Sequence, residues 1–334
     1  MNASVVESKT NHERANVPVG HFDDTKVIVT GRWLRIASVH DEEWIDDRIG
    51  DNADAFIKTV MDRNLRADIF SFSQKLPDTT PKYAYPYEWD NVAAIPITTY
   101  EEWWEKRLPQ VTRKSIRRGT KRGVFARVVQ FNDDLVGGII EIHNDTPTRQ
   151  GVPFTHYGKD FAVVKREYGT YPDSSEWIAA YVGDELIGII KLIKMRHVAA
   201  IMQIITKTKH YDKRPTNILL AKAVEVCQEN AISYLIYGKF VYGNKTNSSL
   251  TEFKRRNGFE RIDYPRYYVA LTPKGRLAMR LKLHLGFLSI LPSGLISALR
   301  EVRSCYYRWV LMPLTSKGRS HAIAADVEGQ DSGD

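Results

Sequence analysis

Apolar positions along this chain fall into short runs separated by proline- and glycine-rich breaks, and their period switches repeatedly between strand and helix. Residues 1–24 are polar and unpatterned, which predicts a flexible N-terminus, and ordered structure is expected to begin at KVIVTG. Up to about residue 110 the pattern predicts short strands at KVIVTGRWLRI, ADIFSFSQKL and NVAAIPI, and a helix from about Asp51 to Asn64. The stretch PDTTPKYAYPYEWD is expected to be a loop, because each proline removes a backbone donor. A helix starting near Thr99 places Glu101 and Glu102 in its first turn, where the helix dipole favours them, and Pro109 breaks it. The next helix, running to about Arg122, carries Arg113, Lys114, Arg117, Arg118, Lys121 and Arg122 as adjacent pairs four residues apart, so they share one broad basic face.

Beyond Gly123 the alternation is clearer. VFARVVQF predicts a strand, DLVGGIIEIHN a helix, TPTRQGVPFTHYGKD a loop and FAVVKREYG a short helix. EWIAAYV and LIGIIKLI form a predicted hairpin through GDE, followed by the strand AAIMQIIT. The basic segment KTKHYDKRPTN then leads into the helix NILLAKAVEVCQEN and the continuous apolar strand ISYLIYG. In NSSLTEFKRRNGF, Ser249 and Glu252 have capping-box spacing and Asn257-Gly258 closes the helix before the strand FERIDYPRYYVAL. Strand, two helices, three strands, helix, strand, helix, strand predicts an α/β (α+β) fold with a mixed sheet crossed by helices.

At 334 residues, 43% hydrophobic and 26% charged, the chain has the composition of one large or two modest globular domains. Only Cys227 and Cys305 are present, and Cys227 lies in an apolar helical pattern, so neither a disulfide partner nor a cysteine-based metal site is expected. The N-terminus lacks a basic region followed by an apolar run, which predicts no secretory signal and a cytoplasmic protein. Near the C-terminus, LKLHLGFLSILPSGLISALREVRSCYYRWVLMPL is interrupted by Pro292, Gly294 and Arg300, and a membrane span needs about 20 consecutive apolar residues. Two readings stay open for it: a helix packed on the domain, or a basic amphipathic segment at 281–312 in peripheral contact with a membrane. Residues 317–334 are expected to be an acidic, disordered tail.

The net charge is +8 despite that tail, so the body favours anionic partners such as nucleic acid, lipid headgroups, nucleotide cofactors or acidic sugars. Charge does not choose among them. No zinc knuckle or aromatic RNA-binding signature is present, and non-catalytic nucleic-acid binding through 113–122 and 207–214 is the competing function.

Asn247, Leu250, Phe253, Lys254, Gly258 and Phe259 stand at the spacing N-x-x-A-x-x-L-Y-x-x-x-G-F, and with the element order from 124 to 271 this resembles the GNAT acyltransferases. A tryptophan-containing helix, RKSIRRGTKRGV, TPTRQG and EFKRRNGF are similar to the Fem-type branch, related to peptidoglycan aminoacyltransferases and polysaccharide-associated acyltransferases. The resemblance implies a GNAT-like mixed twisted sheet flanked by helices. It divides the chain into an N-terminal, partly GNAT-like domain at 25–122, an acyltransferase domain at 123–280 and an apolar, basic helical segment at 281–316. It further implies transfer of an acetyl or aminoacyl group, from acyl-CoA (acetyl-CoA) or an aminoacyl-tRNA, to an amine or hydroxyl of a cell-envelope or polysaccharide precursor. The acceptor would be a small molecule, glycan or peptide.

On that resemblance, AAIMQIIT splays from ISYLIYG to receive the donor, and the amides from Thr216 to Leu219 take its phosphate. Lys207, Lys209, Lys213 and Arg214 add charge, and Thr216, Asn217 and Asn247 complete the expected cofactor-binding set. His156, Glu176, Tyr237 and Tyr242, all near predicted strand ends, are the candidate acid/base groups. Arg149, with Tyr157 and Lys159, is expected on the acceptor side. Two features depart from the family. Asp212, Pro215 and Asn217 stand where a CoA loop reads [Q/R]-x-x-G-x-G/A, and Lys254 replaces the common tyrosine acid, so the proton donor is expected elsewhere.

Overall fold

The computed structural model describes residues 19–22, 25–44, 49, 52–62, 65–149, 151–243 and 248–285. The N-terminal half runs β1 (Val19–Phe22), β2 (Thr25–Thr30), β3 (Ile36–Val39), α1 (Ala53–Asp62), β4 (Ile69–Ser73) and β5 (Tyr87–Pro96). Thr99 caps the single turn α2 (Tyr100–Glu102), which continues as a π-helical stretch to Arg107 before α3 (Gln110–Lys121). Then come β6 (Val124–Val129), α4 (Asp133–His143), β7 (Thr148–Arg149), β8 (Val152–Pro153), α5 (Phe161–Tyr168), β9 (Ser175–Val182), β10 (Glu185–Met195) and β11 (Val198–Thr206). The chain continues through α6 (Pro215–Glu229), β12 (Tyr234–Ile236), α7 (Ser249–Arg256), β13 (Glu260–Ala270) and α8 (Pro273–Arg280).

Eleven strands form one mixed sheet in the order β1-β2-β3-β4-β13-β5-β12-β11-β10-β9-β6. The expected boundary between residues 122 and 123 is crossed by this sheet, since β5 lies between β12 and β13 and pairs antiparallel with both. Residues to Arg276 form one compact unit and Leu277–Asp334 a second, of which only the part up to residue 285 is described. The expected segment 281–312 and the tail 317–334 therefore lie largely or wholly outside the described residues. Among the described residues, no helix is long and apolar enough to cross a membrane.

Strand alternation separates two faces. On one, Ile178, Ala180, Ile190 and Leu192 pack with Leu219, Leu220, Ala223 and Val226 of α6 and Ile116 of α3. On the other, Trp177, Ala179 and Ile189 pack under Leu135, Val136 and Ile139 of α4 and Val164 of α5. Farther along that opposite face, Ile193, Met195, Val198 and Ala200 meet Trp44 and Leu76 from loops of the N-terminal half.

Several local expectations change. Gln110–Lys121 is helical as its spacing implies, but KVIVTGRWLRI is strand only to Thr30, turns over 31–35 and reaches β3 at its last residue, Ile36. YEWD belongs to β5, because β13 recruits it into the ladder through Tyr87↔Tyr267. The TPTRQG loop contains the ladder Arg149↔Val152. The cap of α7 is Ser248, whose hydroxyl accepts from the Thr251 amide at 3.0 Å, and Glu252 instead pairs with Arg255 and Arg256.

Candidate functional site

β11 and β12 run parallel and pair only through Val198↔Tyr234, Ala199↔Leu235 and Ala200↔Ile236. Past that point each strand follows its other neighbour. β11 stays with β10 up to Thr206↔Gly188. The chain after β12 stays with β5: the Tyr237 amide donates to the Ala93 carbonyl at 2.9 Å, and the Ala93 amide to the Gly238 carbonyl at 2.8 Å. The Asn91 side chain then accepts from the Val241 amide at 2.8 Å and donates to its carbonyl at 3.3 Å. A gap opens between 202–206 and 237–241, and among the described residues the β11 edge facing it has no strand partner there.

Lys254 lies at this gap. It is 1% exposed, and its Nζ donates to the Lys239 carbonyl at 2.6 Å. The same Nζ sits 4.8 Å from the ring centre of Tyr237 and 5.1 Å from that of Tyr242. No carboxylate among the described residues pairs with it, and burial holds its pKa down to about 8, against an ordinary lysine value of 10.5. Burial pushes the Tyr237 hydroxyl up, with neighbouring Tyr242 adding to the rise. Burial also raises Tyr242; a Lys239 backbone bond offsets part of this and the Glu43 carboxylate adds to it. Gly238 has φ +54, and a Cβ there would come within 2.6 Å of the Tyr242 hydroxyl, so the tyrosine can close on the chain only over a glycine.

On the face that carries Met195 and Val198, a cavity of about 350 Å³ extends from the Arg196–His197 turn to Gly238 and Lys239. Trp44, Leu76, Met195, Val198 and Ile236 supply its apolar wall. Its charged floor is built on β13: Arg266 contacts Glu42 at 2.9 Å and Asp90 at 3.4 Å, and Lys239 contacts both Asp90 oxygens at 2.7 Å. Burial pushes the Glu42 carboxyl up, but Arg266 and Lys75 outweigh it, so its pKa is lowered. Asp90 behaves alike: the cost of burial is exceeded by its bond to Lys239. The Arg266 guanidinium, opposed by burial but held by Glu42, Tyr264 and Asp90, is raised.

The expected phosphate loop is arranged differently from the sequence reading. Lys207 is buried and bonded to Glu141 at 3.1 Å and Glu185 at 2.9 Å, because α4 and β10 converge on the end of β11. Lys209 and His210 also pair with Glu185, at 2.7 and 3.0 Å, and Lys213 reaches His210 at 2.9 Å. Bonds from Lys209 and Lys207 bring the Glu185 carboxyl down to about 2. Arg214 is the left-handed residue that starts α6. Asn217 and Ile218 bond back to its carbonyl, and Asn217 donates its side chain to Asn257 at 2.7 Å. Since Pro215 has no N–H, the run of free amides from Thr216 to Leu219 shrinks to Thr216, whose hydroxyl faces Thr206 at 3.4 Å. α3 closes over this end: a Cβ at Gly119 would stand 2.3 Å from the Lys213 carbonyl. Asn247 lies outside the described residues.

Of the other expected residues, the structure gathers Arg149, His156 and Lys159 into a cluster at α5, with Tyr157 exposed beside them. Lys159 bonds both Glu167 oxygens at 2.7 Å and lies 3.2 Å from His156 Nδ1. His143, buried against His156, is pulled down to about 4 by burial and the surrounding cations, and Arg149 stacks 4.2 Å over Phe154. Glu176 does not join the tyrosines; it pairs with Lys194 at 2.6 Å, beside Asn230 at the end of α6. Tyr237 and Tyr242 come together in the structure, beside Lys254, which the sequence pattern sets aside in favour of a proton donor elsewhere; Glu42, Glu43, Asp90 and Arg266 have no place in the expected set. The signal available for Lys254 is its position in the helix spacing, directly after Phe253 and on the same side as Thr251, where the resembling pattern commonly carries a tyrosine. Among the described residues no group of histidine, cysteine and carboxylate side chains is placed to hold a metal, and Cys227 is buried, its thiol pushed up to about 12 by burial.

Chemically, the gap offers unpaired strand edge for an extended ligand, a lysine whose proton is mobile near neutral pH, and two phenols. The lining of the cavity includes Gly238 and Lys239, which also stand on the 237–241 side of the gap. No protein-family model matches the sequence, and no curated protein does. Among solved structures, FemX is similar over 78% of this chain and 89% of its own, at 9% identity and a TM-score of 0.55. L-PGS from Bacillus licheniformis is similar over 80% of this chain and 88% of its own, at 11% identity and a TM-score of 0.50. A tandem GNAT protein from the clavulanic acid biosynthesis pathway is similar over 75% and 79% respectively, at 11% identity and a TM-score of 0.39. At such identities the likeness is one of fold, which this chain shares with FemX and L-PGS.

Proposed function

We propose that this chain is an acyltransferase that passes an aminoacyl or acyl group to an amine or hydroxyl of a cell-envelope or polysaccharide precursor. The donor's reactive end enters the gap between β11 and β12, and the acceptor occupies the cavity on the adjoining face. One observation carries the reading: a buried lysine with a pKa near 8 stands at the gap, bonded to the carbonyl of Lys239, a residue that also lines the cavity. In the step, the acceptor nitrogen or oxygen bonds to the acyl carbon and gives up one proton. The donor's C–O or C–S bond breaks, and the leaving atom takes one proton, supplied by Lys254 with Tyr242 beside it. Before transfer, the same ammonium stabilises charge developing on the donor carbonyl.

An aminoacyl-tRNA is the better supported donor. A CoA pyrophosphate needs several free amides at the start of α6, and bonds to Arg214 together with the close approach of α3 consume that end. α3 also presents exposed Lys114, Arg117, Arg118 and Lys121, which suits a polyanion. The test is direct binding of charged tRNA and of acetyl-CoA to the full chain, followed by transfer to an amino-sugar acceptor by wild type and Lys254→Met. Binding of one donor and loss of transfer in the variant are expected. If neither donor binds, the transferase reading falls; if Lys254→Met transfers at the wild-type rate, Lys254 leaves the mechanism.

A further inference from the structure

Eight charged side chains line the cavity: Glu42, Glu43, Lys75, Asp78, Lys82, Arg196, Lys239 and Arg266. Seven of them are engaged within the protein. Arg266 holds Glu42, Lys82 holds Asp78, Lys239 holds Asp90 and Lys75 donates to the Glu42 carbonyl, while Arg196 also has a partner. Glu43 makes no hydrogen bond or ion pair among the described residues. It is exposed, so solvent meets its needs in the empty cavity. Its placement is fixed nonetheless: the preceding residue is clamped by Arg266 and by the Ser73 amide at 2.5 Å, and the following one, Trp44, packs on the apolar wall.

Glu43 thus presents an unpaired carboxylate to a cavity that Trp44 also lines and that reaches Gly238 and Lys239; Tyr242 lies against Gly238, and the Lys239 carbonyl accepts from Lys254. The Tyr242 and Tyr264 hydroxyls both feel its charge, burial being the larger influence on each. A carboxylate and an indole lining one cavity suit an ammonium, by charge and by cation–π attraction. A hydroxyl acceptor would gain one ordinary hydrogen bond there and nothing from the indole. The remaining lining is hydrogen-bonding groups mixed with flat apolar surface, which suits a pyranose ring better than a flexible aliphatic amine.

Resting on the reading of this cavity as the acceptor site, we infer that Glu43 is a positioning residue for an amine and that the acceptor is an amino sugar. Glu43 and Trp44 hold the amino group at the Gly238 end, which makes the product an amide. Selectivity for amine over hydroxyl is then set by a loop of the N-terminal half, while the groups that move the proton come from the C-terminal half.

The experiment uses the full chain without donor. Ligand-observed NMR titrations compare glucosamine with glucose for wild type, Glu43→Gln and Glu43→Asp. The expected result is a preference for glucosamine that drops about five- to tenfold in Glu43→Gln, returns in part in Glu43→Asp, and leaves glucose binding unchanged. A preference that survives in Glu43→Gln, equal binding of the two sugars by wild type, or no binding of glucosamine would each overturn the inference. None of those results bears on donor binding or on the need for Lys254, which test the transferase reading separately.

Discussion

Two segments flank the gap between β11 and β12, and they treat charge in opposite ways. In 207–213, Lys207, Lys209 and His210 share Glu185, Lys213 leans on His210, and the Thr208 amide and hydroxyl bond Asp145. In 237–254, Lys254 is buried with a carbonyl and two aromatic rings for company, and Tyr237 and Tyr242 are raised by burial. Residues 207–213 resemble a binding site in one dimension and are a structural junction in three. In 237–254 the sequence points to Tyr237 and Tyr242, and the structure sets beside them a lysine whose burial no carboxylate among the described residues offsets. A cation already satisfied by its own protein has little left to give a ligand, whereas one held below its ordinary pKa responds to whatever arrives.

The contrast can be broken in four places. The largest effect is expected for Lys254→Met, which should lower transfer about 100-fold or more while the protein stays folded, read by steady-state rates beside a melting curve. The wild-type rate should fall as pH rises through about 8, where Lys254 loses its proton, and this inflection should vanish in the variant. Stability should move the other way: the folded lysine binds fewer protons than the unfolded one between pH about 8 and 10.5, so wild type gains stability across that window and Lys254→Met does not.

Next is Lys207→Met, which leaves Glu141 and Glu185 without their buried partner and should cost about 2 kcal/mol in urea unfolding. Donor affinity of the folded variant should stay unchanged; a loss would return Lys207 to the binding site. A smaller effect, about tenfold in donor affinity with a shallower salt dependence, is expected when Lys114, Arg118 and Lys121 are reversed to glutamate, measured by binding at several salt concentrations. The smallest concerns Glu185. Its folded pKa of about 2 lies below the ordinary 4.5, so its stabilisation is present above pH 4.5 and lost as pH falls towards 2. Glu185→Gln should flatten that limb of an acid-unfolding curve.

Local structure is readable where it is locally determined. The periods of α3, α4, α6 and β9–β11, the break at Pro109 and the spacing from Phe253 to Phe259 all depend on neighbours within a few residues. What stays hidden depends on distant partners. Nothing near Lys207 announces Glu141, 66 positions away, and nothing near Arg266 announces Glu42, 224 positions away. Glu176 reads as free along the chain because its partner Lys194 arrives only when β9 pairs with β10. Lys254 lacks a tyrosine's chemistry, but burial without a counter-ion is what gives a lysine a proton to exchange near neutral pH. Its burial follows from where α7 lands on the sheet, which no local pattern states.

The placement of β5 has a consequence for how this chain can be cut. β5 precedes the C-terminal half in sequence yet lies between β12 and β13 in space, hydrogen-bonded to both. A fragment starting at residue 123 would hold two strands on either side of a vacancy one strand wide, and the Asn91 clasp on Val241 would be missing from the wall of the gap. Such a fragment is a natural receptor for a peptide spanning 87–96. On the proposed function, the two pieces should regain transfer only when mixed, so a split between α3 and β6 would make that transfer depend on complementation.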